Sequence, residues 1–156
     1  MARTRQAAIE RAGRAMQRYQ RSVQSFDDAV GRALGLGPAD MRCLDVLSER
    51  PCSAGELSAA TGLRPAATTA LIDRLVDKGF VERRPSEADR RKVLVALTDD
   101  GARKTWAAYG PLVSEGQQGF ASTTIAELER LSDLVDGMTE LTDRHRARIE
   151  RDASPD

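Results

Sequence analysis

The fold is decided by residues 53–98, which read SAGELSAATGLRPAATTALIDRLVDKGFVERRPSEADRRKVLVALT. Ser53 with Glu56 three residues later has the pattern of a capping box, which predicts a short helix that begins here and ends at Gly62. Pro65 suits the first turn of a second helix, because the N–H that proline lacks would have no partner there. The stretch therefore predicts two helices joined by a tight turn, the outline of a helix-turn-helix.

The second helix and the residues after it show two different hydrophobic periods. Helical spacing, up to an end at Gly79, predicts an inward face made of Thr68, Leu71, Ile72 and Leu75. After the polar stretch that follows, strict alternation predicts a half-buried return strand with Val93, Val95 and Leu97. The extended segments on either side of the polar stretch are predicted to pair as a β-hairpin. The hairpin would then form a wing beside the two helices.

The remaining face of the second helix is predicted to point outward, as in a helix that enters the major groove of DNA. Its outward residues are Arg64, Pro65, Ala66, Thr69, Ala70 and Arg74. The hairpin tip from Arg83 to Lys92 holds five cations and two acids. Arginines on a projecting loop suit phosphates or a narrow, electronegative minor groove. The alternative for these cations is a solvated basic loop without a ligand.

Two motifs resemble the MarR family of winged-helix transcription regulators. The pattern Asp89-x-Arg91-x-x-x-Val95-x-Leu97-Thr98 is similar to the wing signature of that family. The run from Leu71 to Arg84 looks like the end of the family's recognition helix and its first wing strand. The resemblance implies a mostly helical α+β fold without enzymatic activity. In that fold, residues 35–98 would form the winged helix-turn-helix, residues 1–34 and 99–150 a helical dimerisation region, and residues 151–156 a disordered tail.

The resemblance also implies a homodimer that binds a pseudo-palindromic site on double-stranded DNA as a regulator of transcription, most simply a repressor. The residues predicted to contact DNA are Arg64, Pro65, Ala66, Thr68, Thr69, Arg74, Arg83, Arg84, Asp89, Arg90, Arg91 and Lys92. Within this set, Arg91 would reach the minor groove and Asp89 would hold the guanidinium of Arg91. Ala66 and Ala70 offer few hydrogen bonds, so base selection would depend on thymine methyl groups and DNA shape.

Composition agrees with one domain that meets DNA on one side. The chain has 156 residues, is 40% hydrophobic and carries no formal net charge. The charge is unevenly spread, since residues 64–92 carry eight cations and five acids while residues 93–156 carry seven cations and twelve acids. Such a basic centre suits nucleic acid. No apolar run approaches a membrane span, and the arginine-rich N-terminus lacks the apolar region of a signal peptide, so a soluble cytoplasmic protein without a membrane partner is expected.

The terminal segments are predicted to be long helices. From Arg3 to Leu34 an apolar seam recurs at steps of three and four, which indicates either a helix that crosses its own domain or one shared with a second subunit. After the wing, Thr98 is expected to cap a helix that Pro111 kinks or breaks. A last helix is predicted from the capping box at Thr124, with its pattern fading beyond His145.

A small aromatic or phenolic effector is a further implication of the resemblance. The proposed wall residues are Tyr19, Phe26, Trp106 and Tyr109, although aromatic residues at helical spacing are also typical of plain core.

Two other functions compete with a ligand-responsive regulator. A redox sensor would use Cys43 or Cys52, but the family's peroxide sensors carry their reactive cysteine on the first helix, where this chain has none. A winged-helix adaptor for a protein partner would not need Arg90, Arg91 and Lys92 together. His145 has no clustered ligands and no glycine-rich phosphate loop is present, so neither an enzyme, a metal site nor a cofactor is predicted.

Overall fold

The computed structural model describes residues 4–153, which form six helices and one β-hairpin. In chain order these elements are α1 (Arg5–Leu34), α2 (Pro38–Glu49), α3 (Ala54–Thr61), α4 (Pro65–Asp77), β1 (Val81–Pro85), β2 (Val93–Leu97), α5 (Asp99–Gly119) and α6 (Ile125–Asp152). The chain divides into two compact units at Gly110 and Pro111. The predicted α+β class, mostly helical with one small hairpin, is confirmed.

The helix-turn-helix begins and ends where its caps predict. The Ser53 hydroxyl accepts a hydrogen bond from the Glu56 N–H at 3.3 Å, and the Glu56 carboxylate accepts one from the Ser53 N–H at 2.8 Å. Gly62 ends α3 in the left-handed conformation with φ of 71°. Pro65 is the first residue of α4. Because these groups satisfy the free ends of short helices, local sequence alone sets the boundaries of the motif.

The wing is an antiparallel pair in which Val81 lies opposite Leu97 and Pro85 lies opposite Val93. A third segment joins it at Cys52, whose N–H donates to the Val95 carbonyl at 3.0 Å while the Val95 N–H donates back at 2.8 Å. The sequence did not indicate this bridge, because a single residue in a loop has no periodicity. The bridge attaches the base of the wing to the loop between α2 and α3.

The core of the first unit lies between α2, α3, α4 and the wing. Its fully buried side chains include Leu57 and the inward face predicted for α4, namely Thr68, Leu71, Ile72 and Leu75. Thr98 lies between β2 and α5. Its hydroxyl donates to the Gly79 carbonyl and accepts from the Gly101 N–H at 2.9 Å. Thr98 therefore caps α5 as predicted.

Gly101 sits where the first turn of α5 meets the backbone of Phe80. A Cβ atom at this position would overlap the Phe80 carbonyl oxygen, far inside van der Waals contact. The helix therefore approaches the start of β1 as closely as backbone atoms allow.

Two expectations about the long helices need correction. Pro111 lies inside one continuous α5, so of the two expected effects it does not break this helix, and a kink stays a prediction. α6 continues past His145 to Asp152, and its last turns include ion pairs from Arg146 to Asp143 and Glu150. Arg151 and Asp152, placed in the expected tail, are therefore helical, while residues 154–156 of that tail and Arg3 of the first pattern lie outside the described residues.

α1 and α6 keep most of their apolar side chains exposed. α1 buries only Val30 and Gly31, and α6 buries none of its residues. The exposed apolar positions of α6 include Leu131, Leu134, Val135, Met138 and Leu141. Dimerisation through residues 1–34 and 99–150 remains a prediction that these exposed faces motivate. No helix between residues 4 and 153 is both long enough and apolar enough to cross a membrane.

Candidate nucleic-acid interface and cavity

α4 presents one face to solvent because its other face is fixed in the core. Successive residues turn by about 100°, so the buried positions 68, 71, 72 and 75 leave positions 66, 69 and 70 on the opposite side. Arg64, Pro65, Ala66, Thr69 and Ala70 are all exposed. The hydroxyl of Thr69 donates to the Pro65 carbonyl at 3.1 Å. These five predicted residues therefore share one accessible surface.

Thr68, which the sequence placed both on the inward face and among the DNA contacts, belongs only to the core. It is 1% exposed, and its hydroxyl donates to the carbonyl of Arg64 at 3.2 Å. Its assignment as a DNA contact is wrong, because a β-branched side chain at this position packs against the neighbouring helix and cannot turn to solvent.

Two of the predicted arginines are engaged within the chain. The Arg74 guanidinium pairs with Asp40 of α2 at 2.5 Å, and that carboxylate side chain is 4% exposed. The Arg83 guanidinium pairs with Asp73 of α4 at 2.6 Å. Neither carboxylate partner was predicted, since both pairings join residues from separate elements that only the fold brings together.

The wing tip is closed by its own backbone. The Ser86 N–H donates to the Lys92 carbonyl at 2.8 Å, and the Lys92 N–H donates to the Asp89 carbonyl at 2.9 Å. The Asp89 carboxylate accepts from the backbone N–H of Arg91 at 3.1 Å. The expectation that Asp89 holds the Arg91 guanidinium is therefore wrong, because this short side chain bonds its own backbone two residues on. Asp89 therefore shapes the turn, and the Arg91 side chain is exposed to solvent.

The exposed surface of α4 and the wing tip carry cations without acidic partners. Within residues 4–153 no ion pair involves Arg64, Arg84, Arg90, Arg91 or Lys92, and all five are exposed. Unpaired cations on a helix terminus and on a projecting loop suit a polyanion, because each can neutralise one phosphate without first breaking an internal pair. We call this set of five the free cations.

A cavity of about 760 Å³ lies in the first unit between α1, α2 and the start of α5. Of the four predicted wall residues, Trp106 and Tyr109 border it, whereas Tyr19 and Phe26 do not. Tyr19 is exposed on α1, so its place in the wall is wrong. Phe26 instead packs edge-on against Tyr109, with 5.4 Å between ring centroids. The Tyr109 hydroxyl donates to Asp27 at 2.7 Å, and burial together with this carboxylate raises the pKa of Tyr109.

Sequence reasoning missed most of the residues that line this cavity. Three acids, Asp27, Asp28 and Asp45, and two bases, Arg32 and Arg42, line it together with apolar side chains such as Leu36, Met41 and Leu44. They come from α1, α2 and the loop between these helices and share no motif, so only their convergence in the fold reveals them. The lining combines aromatic walls with charges of both signs.

The two cysteines are poorly suited to redox sensing. Cys43 and Cys52 are both fully buried. Burial is the main cause that raises the pKa of the Cys43 thiol to about 11, followed by the nearby Asp40 and Cys52. Burial is also the largest of the causes that raise the pKa of Cys52. A reactive cysteine needs an accessible thiolate, which these surroundings disfavour. The structure therefore gives no support to the redox alternative.

Comparison with known proteins agrees with this architecture. The MarR family model matches residues 34–92. The HTH-type transcriptional regulator YcgE of Bacillus subtilis is 32% identical over 127 residues, which cover 81% of this chain and 82% of YcgE. A MarR family protein from Bacillus stearothermophilus has a similar fold with a TM-score of 0.65 at 17% identity, covering 90% of this chain and 99% of that one.

A second solved structure resembles the chain in both fold and sequence. The apo form of MarR from Escherichia coli has a TM-score of 0.54 at 26% identity and covers 81% of this chain and 95% of that chain. The extent of the match to YcgE, the family-model match over the helix-turn-helix and the shared winged fold all point the same way. The chain belongs to the MarR family of winged helix-turn-helix regulators, which bind DNA to control transcription and are not enzymes.

Proposed function

We propose that the chain is a homodimeric, sequence-specific repressor that acts in the cytoplasm and leaves its operator when a small aromatic molecule binds. The observation that carries the DNA-binding part is the joint position of the exposed α4 face and the wing, with the free cations distributed over both. A helix can read base edges in the major groove while the wing tip follows the backbone or the minor groove. Arg91 is the candidate for minor-groove insertion because its guanidinium has no internal partner among residues 4–153.

Dimerisation is supported by the apolar side chains that α1 and α6 leave exposed. Leu134 of α6 is 58% exposed and Ile9 of α1 is 53% exposed, although each belongs to an apolar seam. Such seams are typical of helices that pack lengthwise against a partner. A twofold pair would present two copies of α4 to successive major grooves.

The experiment for this proposal combines sedimentation velocity with DNase I footprinting on the DNA that flanks the chain's own gene. We expect the mass of two chains and a footprint with two half-sites about one helical turn apart. A mass of one chain at all concentrations would contradict the dimer. Equal affinity for every duplex would contradict sequence-specific binding. No affinity for any duplex at low salt would favour a protein-binding adaptor.

Effector binding is supported by the cavity, whose 760 Å³ lies within the range of small-molecule sites. Trp106 and Tyr109 offer aromatic surfaces, and the mixed charges of the wall allow either an acid or an amine to be paired. A ligand would release DNA only if it binds better to a conformation in which α4 no longer fits the operator.

Thermal-shift screening with phenolic acids, aromatic amines and antibiotics tests this part. We expect at least one class to raise the melting temperature and to weaken operator binding. The Trp106→Ala variant should lose the shift while keeping DNA affinity. A panel without any shift would favour a regulator that acts without a ligand.

A further inference from the structure

Charged groups link the recognition helix α4 to the wing and to α2. Asp73 lies on the exposed side of α4 and pairs with Arg83 of β1. Arg74 and Lys78 are one helical turn apart, and they reach the first turn of α2 and the connection between α1 and α2 respectively. Arg74 pairs with Asp40, and the Lys78 ammonium donates to the carbonyl of Gly35.

Asp40 is almost fully removed from solvent, and each of its oxygens has one donor. Oδ2 accepts from the Gly37 N–H at 2.9 Å and Oδ1 accepts from the Arg74 guanidinium at 2.5 Å. A buried carboxylate is costly unless it is paired, so this group strongly favours the arrangement in which Arg74 stays beside it. The Asp40 carboxylate therefore holds the first turn of α2 through the Gly37 N–H and the adjacent side of α4 through Arg74.

We propose that Arg74 serves DNA binding as a positioning residue, which sets the angle of α4 through Asp40, and does not act as a phosphate contact. The position of Arg74 on α4 agrees with this role. At 100° per residue it lies about 70° from the middle of the outward face, on the side toward α2, whereas positions 66 and 70 lie within about 30° of that middle. The inference rests on the proposed placement of α4 against DNA.

A phosphate contact and a positioning residue predict different effects of salt on DNA affinity. A guanidinium on a phosphate releases condensed counterions, so its loss lowers the slope of log affinity against log salt by about 0.9. A guanidinium that acts through Asp40 leaves this slope unchanged and weakens binding at every salt concentration alike. In the positioning role, removal of either partner has the same effect on DNA affinity, and removal of both adds nothing further.

The test measures fluorescence anisotropy with a labelled duplex selected from a random pool by the unmodified full-length chain. The variants are R74M, D40N and R74M/D40N, each titrated over a range of salt. We expect each single variant to lose roughly tenfold in affinity, the size typical of contacting charged pairs, with an unchanged salt slope. The double variant should lose no more than either single variant.

The amide oxygen that D40N introduces can still accept from the Gly37 N–H. The double variant leaves no buried charge unpaired, so it retains the fold even if R74M alone does not. R64M is the matched control, because Arg64 precedes the same helix, is exposed and is one of the free cations. It should lose affinity and also lower the salt slope by about 0.9.

Three results would overturn the proposal. A lower salt slope for R74M, with D40N unchanged or tighter, would make Arg74 a phosphate contact. Full affinity in all three variants at Asp40 and Arg74 would remove any role for the pair. If R64M also binds as tightly as the unmodified chain, α4 does not meet DNA, and the placement on which the inference rests fails with it.

Discussion

Asp73 of α4 and Arg83 of β1 form an ion pair, with 2.6 Å between the carboxylate Oδ1 and the guanidinium Nη2. The pair joins the recognition helix to the wing across two separate elements. Its side chains are 56% and 40% exposed, so solvent screens their attraction. The pair therefore adds little to the free energy of unfolding.

The first prediction concerns this pair. Asp73→Ala and Arg83→Ala should each change the free energy of unfolding by less than about 1 kcal/mol, as is usual for exposed pairs. Urea denaturation of both variants and of the double variant measures the effect. A loss of more than about 2 kcal/mol would be larger than an exposed pair provides.

The second prediction concerns the wing. Arg91→Ala should weaken operator binding and lower the salt slope by about 0.9, because a free cation that neutralises one phosphate is removed. Arg103→Ala is the control, since Arg103 lies on α5 and pairs with Asp100. The control variant should bind as the unmodified chain does. Unchanged affinity and slope for Arg91→Ala would refute the role of the wing.

The third prediction concerns pH. Hydrogen bonds from Ser53, and then from Arg50, lower the pKa of Glu56 from 4.5 to about 2. Because the folded state lowers this pKa, ionised Glu56 stabilises the fold above pH 4.5, and this contribution is lost as pH falls to about 2. Glu56→Gln keeps the shape of the cap without the charge. The Glu56→Gln variant should unfold at a lower urea concentration than the unmodified chain above pH 4.5, and this difference should shrink as pH falls toward about 2. A difference that does not vary with pH would contradict the mechanism.

The fourth prediction concerns the two thiols. Cys43 and Cys52 are fully buried and have raised pKa values, so neither should react quickly with a disulfide reagent such as Ellman's reagent while the protein is folded. Both should react at once in concentrated urea. Fast reaction of one thiol in the native protein, with loss of DNA binding, would restore the redox hypothesis.

Local chemistry explains which parts of the fold the sequence predicts. Three local signals act over only a few residues: the capping box at Ser53, the proline at position 65 and the apolar residues from Val93 onward. The elements α3, α4 and β2 begin at these signals. The inward face of α4 is predicted for the same reason, because a helical period needs no knowledge of distant segments.

The parts that could not be predicted depend mainly on distant pairings. The pairing of Arg74 with Asp40 and the bridge between Cys52 and Val95 are decided by where the chain returns in space. The cavity wall likewise combines residues that have no shared motif. Thr68 is a different case, because its helical position already marked it as inward.

The close approach of Gly101 to Phe80 restricts how this protein can evolve. Every other amino acid would bring a carbon atom into the Phe80 carbonyl, and the strand or the helix would have to give way. A larger residue at position 101 would therefore push the base of the wing away from the helix that follows it. Backbone packing alone thus restricts this position to glycine, whatever ligand the exposed surfaces bind.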